Sequence, residues 1–380
     1  MADELPVGYY RFTRNRFLNY QLNRWYSLGY TRLEDIAAAG RQIRRASDSI
    51  AVFTGLAETA VQDGRLRNAA FNYRAAEFHT DPRDPDKVPR YRSFRTAFDD
   101  GFAGEGFERH QVPYRGAALS AARLPPVGPR RGTVVIHGGV DSFIEEFFCF
   151  WRYFADLGYE VVAFDGPGQG ATHRLHGLAH EHDWERPVGA ILDHFDLSDV
   201  TLLGISFGGY WCLRAAAFDK RIARVIVDPP LYDLVAVQPV VVRAALSLMM
   251  RSERFMNWSI RVRARAIPTL GHVVNQILYI TNSLDAAPVT VARWMMAMNA
   301  GHLHSELVTQ DVLLLAGEKD RFQPPKLYHA QRAALTSARS VTGRVFTAAE
   351  QAENHVQIGN VGLGLDAMGA WLRSVEHGTA

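Results

Sequence analysis

The sequence predicts an α/β protein: a mostly parallel sheet flanked by helices, preceded by a helical domain and interrupted by a helical insertion. Three observations predict it. After residue 109, short runs of Val, Ile and Leu alternate with amphipathic segments, the pattern of parallel strands buried on both faces and joined by helices. Residues from about 15 to 105 place apolar side chains at three- and four-residue intervals and contain no convincing strand. Residues 231–308 also read as helical, and they are too many for a single crossover connection between two strands.

The 380 residues suit about two to three domains, divided here as 1–108, 109–230, 231–308 and 309–380, with the second and fourth segments forming one core. In the first segment, "RLEDIAAAGRQIRRASDSIAVFTGLAETAVQ" and "LRNAAFNYRAAEFHT" read as packed helices. Core strands follow at "TVVIHGG" 133–139, "EVVAFDG" 160–166, "VTLLGIS" 200–206, "ARVIVDPP" 223–230 and "DVLLLAGEKD" 311–320. A last strand is expected at "GRVFTAAE" 343–350, with a terminal helix around "VGLGLDAMGAWLRSV".

Composition excludes several classes. Net charge is +2 with scattered Lys and Arg, which gives no footprint for nucleic acid. The N-terminus has early acids and no apolar signal core, and "VVVRAALSLMM" at 240–250 is far short of the ~20 residues that span a bilayer. A soluble, cytoplasmic protein is expected. Cys149 and Cys212 lie in apolar contexts and read as buried free thiols.

The chemistry concentrates at "GISFGG", 204–209, which follows a strand and precedes the helical "YWCLRAAAFD". Glycines at 204 and 208 permit a turn so tight that Ser206 is held out above the strand ends, as a serine nucleophile requires. A serine hydroxyl needs a base, and the base needs an orienting carboxylate. "LLLAGEKDRFQPP" offers Asp320 and Glu318, with Asp320 favoured because it lies further into the loop. "AAEQAENHVQIGN" offers His355 in the right order and the right loop. An oxyanion hole is expected from the Phe207 amide together with Gly139 or Val140, after "HGG"; His137 itself is read as bracing that loop.

Two rival motifs are set aside. "VVAFDGPGQGA" matches the spacing of a dinucleotide-binding turn at Gly166, Gly168 and Ala171, but no second strand with its acid follows, and Pro167 removes an amide. Asp165 is expected to brace the turn. "HGLAHEHDWE" gathers His176, His180, Glu181, His182 and Asp183 without a second ligand cluster, so a polar loop explains it better than a metal site. "AGHLHSEL" at 300–307 is read as helix of the insertion. No cofactor and no metal are expected.

With those residues placed, the chain resembles the alpha/beta hydrolases, and within them the branch that includes bacterial 2,6-dihydroxypseudooxynicotine hydrolase and the fungal polyketide-shortening hydrolases of the melanin route. "HGGVDSFIEE", "GYEVVAFDGPGQG", "GISFGGYWCLRAAAFDKRIARVIV" and "ENHVQIGN" carry the resemblance, over roughly 130–375. It implies the alpha/beta-hydrolase fold and a triad of Ser206, Asp320 and His355 working without cofactor, several members hydrolysing a carbon–carbon bond beside a ketone. It also implies a role for "PPLYDL" in the substrate cavity, with Tyr232 and Asp233 as candidates or as loop braces.

The partner expected is a small-molecule substrate, apolar or aromatic, with a homodimer as the assembly and no role for nucleic acid or membrane. Aromatic residues of "FIEEFFCFWRYF" and Met249, Met250, Met295, Met296 and Met298 are read as packing residues that could also line a pocket. An esterase, thioesterase or acyl-transferring cyclase would use the same machinery. The alternative of another class is a non-catalytic hydrolase fold used as a binding or regulatory protein, a reading that a missing triad member would favour.

Overall fold

The computed structural model describes residues 5–45 and 47–376. Helices α1 (Arg16–Ser27), α2 (Leu33–Gln42), α3 (Asp48–Gln62), α4 (Leu66–His79) and α5 (Lys87–Gly101) come first. They lead into strands β1 (Glu108–Tyr114), β2 (Ala117–Leu124) and β3 (Gly132–His137), then α6 (Phe148–Asp156), β4 (Tyr159–Asp165), α7 (Gly170–Arg174) and α8 (Glu185–His194). Next are β5 (Val200–Ile205), α9 (Gly208–Phe218) and β6 (Ile222–Asp228). Between β6 and the next strand lie α10 (Val240–Met250), α11 (Glu253–Ala266), α12 (Pro268–Ile280), α13 (Val289–Ala297) and α14 (Ala300–Leu303). The chain finishes with β7 (Asp311–Gly317), α15 (Pro325–Ala334), β8 (Ser340–Phe346) and α16 (Val361–Glu376).

Among the described residues the strands form one eight-stranded sheet in the order β1-β2-β4-β3-β5-β6-β7-β8. β2 runs antiparallel to both β1 and β4, and the pairings from β4 through β8 are parallel. Alternation along the strands divides the core into two layers, because successive side chains point to opposite faces. Val134, Ile136, Leu203, Ile205, Leu313 and Leu315 pack beneath α1–α6 and α16. Val135, Leu202, Val225, Val227, Val312 and Leu314 pack against α8, α9, α15 and inserted helices. β3 to β7 are almost wholly buried, which explains why their sequences are continuous apolar runs.

The expected core strands are β3, β4, β5, β6 and β7, beginning within one residue of expectation and ending earlier, where HGG, Ser206, PP and EKD turn into loops. The last strand is displaced: β8 starts at Ser340, and "TAAE" forms a separate turn in which the Thr347 amide donates to Glu350 (2.8 Å). β1 and β2 were not expected. β2 reads "AALSAARL", rich in helix-forming Ala and Leu, and its strand form comes from register against β4, Ala121 opposite Phe164 and Ala122 opposite Ala163.

Parallel register brings the carboxyl ends of neighbouring strands to one rim. His137 lies beside Gly204, and Ile205 beside Asp228. Ligands of open parallel sheets bind at such rims.

Candidate active site

Ser206 sits between β5 and α9 with φ 60°, a left-handed conformation that a non-glycine residue adopts only when its surroundings hold it there. Its amide donates to the Asp228 carbonyl at 2.6 Å. The expected reason for the glycines holds: a Cβ on Gly204 would collide with the Gly208 carbonyl, and one on Gly209 with the Pro229 carbonyl. The start of α9 stands directly behind the hydroxyl, so its aligned amides favour developing negative charge there.

Ser206 Oγ lies 2.8 Å from His355 Nε2, and His355 Nδ1 lies 2.6 Å from Asp320 Oδ2. Asp320 is held by its other oxygen, which accepts from the amides of Phe322 (2.8 Å) and Gln323 (2.9 Å). The two loops meet because Gly317, at the end of β7, approaches the Glu353 carbonyl too closely for any side chain. The Lys319 amide then donates to Glu353 O at 2.9 Å. Around His355, Val356 (φ 54°) and Gln357 (φ 48°) are also left-handed. With Nδ1 occupied by the carboxylate, Nε2 is free to accept the serine proton, which is the arrangement of a nucleophile, its base and the base's orienter. Glu318 instead accepts from the Ala348 amide at 2.9 Å, bracing the loop.

Behind HGG, a Cβ on Gly139 would come within 2.9 Å of Ser206 Cβ and 3.1 Å of the Phe207 nitrogen, so this loop faces the serine. The Gly139 amide donates to Ser142 Oγ at 2.8 Å, and the Gly138 and Gly139 carbonyls accept from Gln169 Nε2 at 2.8 Å each. That leaves Val140 better placed than Gly139 to offer an amide to a ligand. His137 is fully buried against Phe164 and Trp184, and burial pushes its imidazole down to about 3, leaving it neutral.

These groups open into a cavity of about 120 Å³. Its floor is Ser206, Phe207, Val140 and His355; α1 contributes Phe17, Tyr20, Gln21 and Arg24, and α12 contributes His272, Gln276 and Ile277. Clefts favour such junctions. Sequence reasoning missed the α1 and α12 residues. The available signal was polar residues interrupting an apolar helical face, in "NYQLNRW" and "GHVVNQILYI". It also missed Asp228, a fully buried carboxyl at the end of β6 that accepts from Gln357 Nε2 at 2.9 Å and is pushed up to about 7 by burial.

Neither Tyr232 nor Asp233 lines this cavity. Asp233 Oδ1 accepts from the amides of Val235 (2.9 Å) and Ala236 (2.7 Å), the bracing role. Of the aromatic run Phe147 reaches the cavity, and the five methionines do not.

The two rival motifs are packed into the fold. Asp165 accepts from the amides of Ile144 (3.1 Å) and Ala171 (2.9 Å), bracing the glycine turn as expected. A short helix, α7, begins there, yet a Cβ on Gly166 would strike Trp184 and one on Gly170 the Asp165 carboxylate, so side chains fill the space a pyrophosphate would need. In the histidine loop, His180 Nδ1 accepts from Trp294 Nε1 at 3.0 Å, Glu181 meets Arg115 at 2.6 Å, and Asp183 meets His302 at 3.1 Å. Cys149 and Cys212 are buried free thiols. Among the described residues no helix is long and apolar enough to cross a membrane.

Comparison with known proteins settles the family. Residues 133–352 match the model of the alpha/beta hydrolase family. The chain belongs to that family. A hydrolase of Aspergillus aculeatus, acrC, is 33% identical over 229 residues, covering 52% of each chain. The hydrolase LUC6 of a Fusarium species is 30% identical over 261 residues, covering 62% of this chain and 60% of LUC6. The chain thus spans about half the length of the first of these curated relatives. In fold, the crystal structure of the 2,6-dihydroxy-pseudo-oxynicotine hydrolase superposes with a TM-score of 0.64 at 19% identity, covering 93% of this chain and 95% of that one. AbyA5 superposes with 0.67 at 19% identity, over 88% of each chain. The expected resemblance is borne out, and the family match itself stops just before His355.

Proposed function

We propose that the protein is a serine hydrolase that cleaves a carbonyl substrate through an acyl-enzyme, and that the bond cleaved is a carbon–carbon bond beside a ketone. The observation that carries the reading is the continuous hydrogen-bonded relay from Ser206 through His355 to Asp320 at the floor of an apolar cavity. Ser206 Oγ attacks the carbonyl carbon as its proton passes to His355 Nε2, and Asp320 stabilises the imidazolium. The tetrahedral oxyanion is held by the amides of Phe207 and Val140, where one such donor is worth about 10²–10³ in rate. Collapse breaks the bond to the leaving carbon, whose electron pair takes the proton from His355. Water then adds to the acyl-serine, giving up a proton to His355, and a carboxylic acid departs as Oγ recovers that proton.

Carbon leaves only as a stabilised carbanion, delocalised into a neighbouring oxygen. The branch resemblance supports that choice of bond over an ester, and the inserted helices would act as the lid.

The test is a fluorophosphonate probe. The folded protein is labelled at Ser206, heat-denatured protein and Ser206→Ala are not, and Asp320→Asn loses on the order of 10⁴ in turnover while keeping its fold. Labelling that persists unchanged in Ser206→Ala overturns the reading.

A further inference from the structure

The cavity has a second polar corner that the chemistry above does not use. His272 and Gln276 are one turn apart on α12, hence on one face of that helix, and both line the cavity. Gln276 is 4% exposed, and its Oε1 has no hydrogen-bond partner among the described residues; neither has Nε2 of His272. Native structures leave few buried polar atoms unpaired, and each asks for an explanation.

Neighbouring groups do not supply the missing partners. Arg24 is committed to Glu146 at 2.6 Å. The His272 ring is packed against Phe17 and Phe78, with centroids at 5.6 and 4.8 Å, which fixes its plane. Burial foremost, helped by Lys87 and Arg74 and opposed by Asp141 and Glu77, keeps this imidazole neutral. A neutral ring can donate from one nitrogen without presenting a full charge to an apolar ligand.

We propose that His272 and Gln276 are the specificity pair of this cavity, binding a hydroxyl-type oxygen of the substrate that donates to Gln276 Oε1 and accepts from His272 Nε2–H. The proposal rests on the serine-hydrolase reading only for taking this cavity as the substrate site. It narrows the ligand class to a carbonyl compound with a second oxygen in enol or hydroxyl form. A plain hydrocarbon acyl group would leave both side-chain atoms buried and unpaired, the condition under which hydrogen-bonding sites reject analogues strongly.

The experiment uses full-length Ser206→Ala protein, which binds without turnover, and two probes. One is 1-phenyl-1,3-butanedione, largely enolised; the other is butyrophenone, the matched ketone without the second oxygen. The Ser206→Ala protein is expected to bind the diketone at least about tenfold more tightly, and adding Gln276→Leu or His272→Phe is expected to erase the preference while butyrophenone affinity stays within about twofold. Cooperative melting near the Ser206→Ala temperature shows that each double variant is folded, and Gln276→Met serves if Gln276→Leu is not. Equal affinity for the two probes, or a preference that survives in folded variants of both positions, overturns the proposal. Failure of fluorophosphonate labelling in the parent would instead overturn the serine-hydrolase reading, which the equilibrium binding does not depend on.

Discussion

At Ser206 three side-chain absences and one strained dihedral combine. The glycines at 204, 208 and 209 let β5, α9 and the end of β6 approach until the serine backbone is forced to φ 60°. Gly204 and Gly208 were legible because a tight turn demands glycine at fixed offsets, whereas the need for Gly209 shows only in its approach to the Pro229 carbonyl. Asp228 was not legible, because a carboxylate at a strand end looks the same in sequence whether solvated or buried. Burial raises its pKa from 3.8 to about 7. Between those values the folded protein holds a proton that the unfolded chain releases, so stability falls as pH rises through the window and levels off above it. Asp228→Asn removes this dependence. The melting temperature of the variant relative to the parent is therefore expected to rise from pH 5 to pH 8, and a pH-independent difference would show that Asp228 does not titrate in this range.

Among the elements, a buried ion cluster ties the helical region to the sheet alongside the apolar contacts. Arg74 on α4 reaches Glu146 (2.7 Å), in the 3-10 turn Ile144–Phe147 before α6, as well as Glu77 (2.5 Å) and the Asp141 carbonyl. Lys87 on α5 reaches Glu77 at 3.0 Å, and Arg174 on α7 at 3.4 Å. Although burial works against it, Lys87, Arg74 and Arg174 hold the Glu77 carboxyl at about 2. Arg74→Met keeps the volume but strands part of this negative charge, and is expected to cost about 3–5 kcal/mol, read by denaturant melting. A cost under about 1 kcal/mol would mean that the cluster relaxes into water. The element boundaries show where local pattern loses to context. Buried strands such as β5 announce themselves by continuous apolar runs, whereas β2 is a strand because β4 offers it an edge.

Across the whole molecule, one continuous apolar cluster joins Trp25, Phe71 and Phe98 of the first helices to Val134, Ile205 and Leu315 of the sheet and Trp371 of α16. Tyr20 adds a polar tie, its hydroxyl donating to the His355 carbonyl at 3.3 Å while its ring packs on Phe322. Because these helices and the sheet share a core, calorimetry is expected to show a single cooperative transition; two resolved transitions would mean that the helical region folds as a unit of its own. Core strands β3 to β7, the turn at Ser206 and the order in which Ser206, Asp320 and His355 arrive could be read from the chain itself, since periodicity, glycine geometry and loop position are local properties. Tertiary structure alone decided what walls the cavity. Residues of α1 and α12 lie far apart in sequence, and only their packing over the strand ends brings Gln276 and His272 into the cavity that Ser206 lines.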